Sequence, residues 1–291
     1  MTLPSTPLFS PDVLKSFEYP KYEVLLPGFK QQKTVLVTSL LIKDEMELSS
    51  ISTVTEHKWF EEICRLAFNK IVEGRKELFP LGYDQFLEMC SIDDRDALLL
   101  GIIHATYGND LSITFNCNSC STPNELKFPL SECVQVTLPK IPEGVEKYTD
   151  VTTSFEMDVP FHVKATLKVP SLIEYKRCLE YVDKVCSSES KRRGFMASIF
   201  PMLTCLQSLE LQSTDLNIPS IQLSKNNMID LVSHLLSMPK NFKKTFSSKI
   251  REINPEDVGI KLQMKFTCRE CGTLNDVSLT IVDLFFQMIL S

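Results

Sequence analysis

Glycine is scarce in this 291-residue chain, at nine residues, and there are four histidines and one tryptophan. So few glycines leave little material for phosphate-cradling loops, and neither Gly-x-x-x-x-Gly-Lys-Ser/Thr nor Gly-x-Gly-x-x-Gly occurs. Gly-x-Ser-x-Gly and His-Glu-x-x-His are absent too, and no Pro-Cys-x-x-Cys follows a His-x-Glu as a zinc deaminase would require. No apolar run reaches the roughly 20 residues that span a bilayer. The first 20 residues lack the basic-then-apolar layout of a signal peptide, which points to a protein that stays where it is made. Positive charge is in deficit, with 31 Lys and Arg against 37 Asp and Glu, a net charge of −6. That balance works against general affinity for phosphate backbones and against a nucleic-acid partner. The one basic run, Lys191-Arg192-Arg193, reads as a solvated loop.

Cysteine, by contrast, is plentiful. Two Cys-x-x-Cys pairs, Cys117/Cys120 and Cys268/Cys271, lie in stretches that are copies of each other. An offset of 151 residues, from Cys117 to Cys268, lays Gly108, Leu111, Phe115, Cys117, Cys120, Thr122 and Asn124 on Gly259, Leu262, Phe266, Cys268, Cys271, Thr273 and Asn275. These are seven identities in the 23 positions 108–130, too many for coincidence. Leu111, Ile113 and Phe115 alternate with polar residues, as do Leu262, Met264 and Phe266, so each copy opens with a half-buried strand. A polar turn follows, then a second alternating run: Leu126, Phe128, Leu130 in one copy and Val277, Leu279, Ile281 in the other. Each copy is expected to be a β-hairpin with a cysteine knuckle at its tip.

A closed structural zinc site needs four ligands converging from rigid backbone, and one Cys-x-x-Cys tip supplies two. Cys117, Cys120, Cys268 and Cys271 together make a candidate four-thiolate site for Zn2+, with an iron–sulfur cluster as the alternative. A redox dithiol would need a βαβ setting that neither copy has. The other six cysteines, Cys64, Cys90, Cys133, Cys178, Cys186 and Cys205, have no framework spacing and read as inert thiols of a reducing compartment.

Along the chain, residues 1–20 carry four prolines and read as an extended arm. Tyr22–Leu26 and Lys33–Leu41 read as a hairpin about Pro27-Gly28, with Lys43–Met46 as a polar connection. Helical spacing marks Phe60–Ile71, and Phe79–Met89 adds a short helical stretch. Ser91 with Asp94 forms a capping box before the apolar Ala97–Ala105, which Gly108 ends. Pro139, Pro142 and Gly144 mark a linker. Beyond it come a strand over Phe161–Val169, helices over Leu172–Val185 and Phe195–Leu209, a helix after Ser224 that stops at Pro239, another over Lys240–Glu252, and a buried C-terminal helix over Val282–Leu290. His162 and His234 fall on solvated faces, His104 in a buried helix and His57 in a polar stretch, so no catalytic constellation forms and an enzyme is not expected. The expected architecture is α+β: an arm (1–20) and two helix-bearing lobes, 21–138 and 139–291, joined by a zinc-ribbon-like pair of β-hairpins carrying the four-cysteine site.

Several landmarks occur in an order that resembles the baseplate hub proteins of T-even-type contractile-tailed phages. They are Leu26-Pro27-Gly28, Asp44-Glu45, Cys117/Cys120, Met238-Pro239-Lys240, Phe266-Thr267-Cys268, Cys271-Gly272, Asn275 and Asp283-Leu284-Phe285-Phe286. The chain departs from that pattern in its proline-rich arm, a shortened first hairpin turn and a longer segment over 241–258. The resemblance implies a virion structural protein of the tail baseplate, made and assembled in the host bacterial cytoplasm. Its implied partners are other hub proteins, the spike or the tape-measure end, or further copies of itself, with no membrane involved. A zinc-ribbon nucleic-acid-binding or transcription-associated protein is the competing reading. It needs basic or aromatic residues projecting from the knuckles, which carry Asn118-Ser119 and Arg269-Glu270.

Overall fold

A computed structural model describes residues 19–31, 33–50, 55–158, 162–186, 188–212 and 221–290. The arm expected over 1–20 therefore lies almost wholly outside the described residues. The architecture is mixed α+β, as the sequence implies.

Strands β1 (Lys21–Leu25) and β2 (Thr34–Thr38) form the first hairpin. Helix α1 (Ile42–Ser50) follows, where the sequence suggested a polar connection. Its first turn is fixed by the Asp44 carboxylate, which accepts the Leu41 N–H at 2.6 Å and pairs with Lys70. Lys70 also donates to the Ser39 carbonyl at 2.9 Å. A buried acid satisfied in this way closes a helix that an alternation of polar residues hides.

Helix α2 (Glu56–Lys70) buries Phe60, Ile63, Cys64 and Ala67 on one stripe and runs into β3 (Ile71–Glu73), which pairs with β2. Short helices α3 (Arg75–Leu78) and α4 (Tyr83–Met89) lead to α5 (Ile92–Tyr107). Apolar nearly all round, α5 is the buried axis of this region, with Leu98, Leu99, Ile102 and Ile103 wholly buried. It packs against β1, β2, α2 and the C-terminal helix. The expected capping box is present: Ser91 caps the first turn, and the Asp94 carboxylate accepts the Ser91 N–H at 2.8 Å. The same carboxylate accepts the Gly28 N–H at 2.7 Å, so one buried acid ties the β1–β2 turn to the start of the central helix.

Strands β4 (Asp110–Asn116) and β5 (Pro123–Pro129) make the first cysteine hairpin, followed by the one-turn helix α6 (Leu130–Cys133) and strand β6 (Val134–Thr137). Strands β7 (Thr152–Asp158) and β8 (His162–Lys168) and helix α7 (Leu172–Val185) come next; α7 opens on a second capping box, Ser171 with Glu174. The helix expected over Phe195–Leu209 is instead three elements: α8 (Glu189–Ser198), α9 (Phe200–Cys205) and β9 (Leu206–Gln212). Pro201 sits in the first turn of α9, where its missing N–H has no partner to lose. Leu206, Leu209 and Leu211 are buried in a strand whose alternation slips at a bulge between Thr166 and Leu167, and this gave the run its helical look. The Lys191–Arg193 run is likewise helical, within α8, and Arg192 pairs with Glu56 and Asp183.

Strand β10 (Ile221–Ser224) completes a four-stranded antiparallel sheet in the order β10-β9-β8-β7. Helices α10 (Met228–Ser237) and α11 (Lys240–Ile253) precede β11 (Gly259–Thr267) and β12 (Leu274–Leu279), the second cysteine hairpin. The chain ends in α12 (Ile281–Leu290), whose Ile281, Leu284 and Phe285 are wholly buried. Phe286 stacks on Trp59 with ring centroids 5.0 Å apart, so this apolar helix packs on the protein's own core. Leu130 and Ile281, expected at the ends of strands, both open helices, so the two copies match beyond the hairpins. Strand β11 also pairs with β6, Leu262 opposite Val134, and residues distant in sequence share a sheet beside the cysteines.

Asp94→Ala is expected to lower the unfolding free energy by about 2–3 kcal/mol at pH 7, measured by urea denaturation, because two buried backbone donors lose their acceptor. Burial lifts the Asp94 carboxyl to about 6, against the pull of its hydrogen bonds from Ser91 and Gly28. A carboxyl whose folded pKa lies above its unfolded value contributes more stability as pH falls through that window. The deficit of the variant should therefore be larger at pH 4.5 than at pH 7.5.

Candidate metal centre

The two hairpins share one register. In the first, Phe115 pairs with Asn124 and Ile113 with Leu126; in the second, Phe266 pairs with Asn275 and Met264 with Val277. Each pair maps onto its counterpart by the same 151-residue offset that relates the cysteines. At each tip the first cysteine donates its N–H to the threonine carbonyl that closes the knuckle, Cys117 to Thr122 and Cys268 to Thr273, both at 2.9 Å. A second bond returns to each first cysteine's carbonyl, from the N–H of Ser121 at 2.9 Å and of Gly272 at 3.0 Å. The donors occupy the left-handed region, with φ of 59° at Ser121 and 69° at Gly272. Glycine takes that conformation without strain, and serine tolerates it less readily.

The tips meet face to face. Cys117 Sγ lies 3.6 Å from Cys271 Sγ, and Cys120 Sγ lies 3.6 Å from Cys268 Sγ. All four sulfurs lie within 4.8 Å of one another. A tetrahedral ion with Zn–S bonds of about 2.3 Å separates its sulfurs by about 3.8 Å, so the set has the span that one ion requires. Cys117 and Cys268 are buried while Cys120 and Cys271 are exposed, and each hairpin sets its buried sulfur against the exposed sulfur of the other. Phe115 and Phe266 stack beneath, with centroids 6.3 Å apart.

Asn124 and Asn275, both buried, are the residues around the sulfurs that reading for ligands overlooked. The Asn275 carbonyl oxygen accepts the Asn118 N–H at 2.9 Å, and the Asn124 oxygen accepts the Arg269 N–H at 3.0 Å, each reaching the knuckle of the opposite hairpin. Their amide nitrogens donate to the Thr122 and Thr273 carbonyls of their own knuckles, at 2.7 and 2.9 Å, and lie 3.8 Å from Cys268 Sγ and 3.6 Å from Cys117 Sγ. Thr122 and Thr273 hydroxyls lie 3.3 and 3.2 Å from the Cys120 and Cys271 sulfurs. The signal for these roles was available: all four residues are identities of the internal repeat.

This environment favours thiolate at the buried positions. N–H groups of Cys120 and Ser119 aimed at Cys117 bring its thiol down to about 6, against the opposing effect of desolvation. At Cys268 the N–H of Cys271 does the same, with desolvation opposing and the Glu270 N–H assisting. Cys120 moves the other way, because hydrogen bonds from Thr122 are outweighed by the neighbouring Cys271 and Cys268 sulfurs and by desolvation. Crowded sulfurs that cannot all ionise together are what a bound cation relieves. Burial instead pushes Cys64 and Cys178 up to about 12 and Cys205 to about 11, and Cys90 well above its usual value, which fits unreactive thiols.

The histidines lie outside the four-sulfur group. His57 Nδ1 lies 2.6 Å from an Asp183 carboxylate oxygen and His162 Nδ1 lies 2.7 Å from one of Asp158. His234 Nδ1 lies 2.7 Å from the Asp230 carbonyl, and the His104 ring meets that of Tyr22 at a 30° tilt with centroids 4.0 Å apart.

Among known proteins, the family described as T4 bacteriophage base plate protein matches this chain over residues 19–287. No curated protein and no solved structure matches it.

Asn124→Ala and Asn275→Ala should each destabilise the protein by about 1–3 kcal/mol, since each removes a buried side chain that accepts an N–H of the opposite knuckle and donates to a carbonyl of its own. The related geometry calls for losses of similar size, measurable by chemical denaturation of the two variants side by side.

Proposed function

The chain belongs to the T4 bacteriophage base plate protein family, a component of the virion tail baseplate, and from that premise we propose that it is a structural and assembly part of the baseplate hub, fastened by one zinc ion. In this reading Cys117, Cys120, Cys268 and Cys271 are the ligands, and the ion clamps the lobe of residues 21–138 to that of residues 139–291. The observation that carries the proposal is the approach of four sulfurs, two from each of two hairpins 151 residues apart, to within 4.8 Å of one another.

That span supports a single ion over a polynuclear iron–sulfur cluster, which must place several metal atoms among its ligands. Zn2+ suits a four-thiolate tetrahedron that offers no open position, and a closed site supports a structural role. Apparent binding free energies of structural zinc in small peptides run to about 10–16 kcal/mol, comparable with the stability of a whole domain. Such an ion would hold two parts of a load-bearing protein in register. Its partners would be other hub, spike or tape-measure proteins. Both knuckles expose one acidic and one basic side chain between them, Glu270 and Arg269, with Asn118 and Ser119, which gives no support to the nucleic-acid reading.

Elemental analysis of the purified chain should return one zinc per molecule and a colourless protein. Iron with a visible charge-transfer band, or no metal at all, would refute the zinc assignment. Removing the metal with a strong chelator should lower the melting temperature by well over 10 °C, and zinc should restore it. For the baseplate role, Cys117→Ser or Cys268→Ser introduced into the phage genome should yield insoluble protein or tailless particles, and wild-type titres from both would overturn it.

A further inference from the structure

A cleft of about 630 Å³ opens between the first turn of α5, the start of α7, α9 and the C-terminal end of α11. Its walls include Tyr148, Tyr175 and Phe200, with Asp93 projecting from the first turn of α5. Tyr148 is spoken for: its hydroxyl donates to the Ile253 carbonyl at 2.8 Å and lies 3.1 Å from the Asn254 side-chain oxygen. At the rim, Arg251 and Glu256 satisfy each other at 2.8 Å. Asp93 is different. It is half-buried, one of its oxygens lies against Gly259 at the start of β11, 2.5 Å from where a side chain there would begin, and among the described residues no hydrogen bond or ion pair holds its carboxylate.

The neighbouring acids are engaged: Asp94 accepts from Gly28 and Ser91, and Asp96 accepts from Arg95 at 2.6 and 2.9 Å. Asp93 therefore has anionic neighbours and a desolvated setting without a cation of its own. Burial, reinforced by Asp94 and Asp96 and only partly offset by Arg95, lifts its carboxyl to about 7. A lone desolvated acid works against the stability of the isolated chain, and such groups concentrate where something binds.

We propose that this cleft receives an arginine side chain of a partner protein in the baseplate, its guanidinium pairing with the Asp93 carboxylate among the aromatic walls. The proposal rests on the baseplate reading for its choice of a protein partner. Charge complementarity selects the occupant: with Arg251 and Glu256 cancelling, the lining carries one negative charge in excess whenever Asp93 is ionised, the form a guanidinium stabilises. A planar guanidinium can hydrogen-bond a carboxylate oxygen while its flat face packs on an aromatic ring, which an ammonium does less well.

The test uses the purified full chain with N-acetyl-arginine amide as probe and N-acetyl-citrulline amide, its uncharged isostere, as control, followed by NMR chemical-shift titration. The arginine probe should bind at least tenfold more tightly than the citrulline control, and Asp93→Asn should abolish that preference. Equal affinity for the two amides, or an undiminished preference in the variant, would overturn the proposal. These readouts need no phage particles, so they fail or succeed separately from the virion experiments that decide the hub role.

Discussion

Two backbone tips far apart in the chain have to arrive with four sulfurs inside 4.8 Å, and much of the surrounding architecture serves that requirement. Like charges or lone pairs crowded so closely repel, so the approach needs either a cation or a rigid frame, and this protein builds the frame. Each sulfur pair rides on a hairpin of fixed register, each hairpin is pinned to the other by an asparagine, and Phe115 on Phe266 fills the space beneath. Strand β6 extends the frame by pairing with β11, so the chain that leaves the first hairpin is held in the sheet of the second.

The central helix gives this frame something to stand on. With apolar residues on nearly every side, α5 contacts the first sheet, α2, β11 and the C-terminal helix, and its start is tied to the β1–β2 turn through Asp94. Helix α12 follows the second hairpin directly and lies back on α5, while β4 leaves the C-terminal end of α5 after Gly108. Both hairpins are thus rooted in one buried element, which limits how far either can wander from the other.

Much of this was legible in the sequence because it is written in local signals. The repeat, the alternation in each hairpin, the Ser91–Asp94 capping box and the apolar character of α5 each depend on residues a few positions apart, and the structure has them all. What was hidden depends on contacts across the chain. Helix α1 owes its first turn to Asp44 facing Lys70, and β9 owes its place to the centre of a sheet whose bulge disturbs the alternation of Leu206, Leu209 and Leu211. At the four-sulfur site, periodicity located the sulfurs, yet the reach of Asn124 and Asn275 into the opposite knuckle is a property of the assembled pair. Asp93 is conspicuous only once its neighbours are seen to have partners and it has none among the described residues.

The reciprocal reach of the two asparagines has a consequence for the order of events during synthesis. Neither knuckle has its full set of hydrogen bonds until its counterpart exists, and the counterpart of Cys117 lies 151 residues downstream. At about 5–20 residues per second, the first pair of thiols waits roughly 8–30 s outside the ribosome before the second can emerge. During that interval it is half of a four-sulfur cluster, and its two thiols meet stray metal and oxidant without the partners that the folded protein supplies.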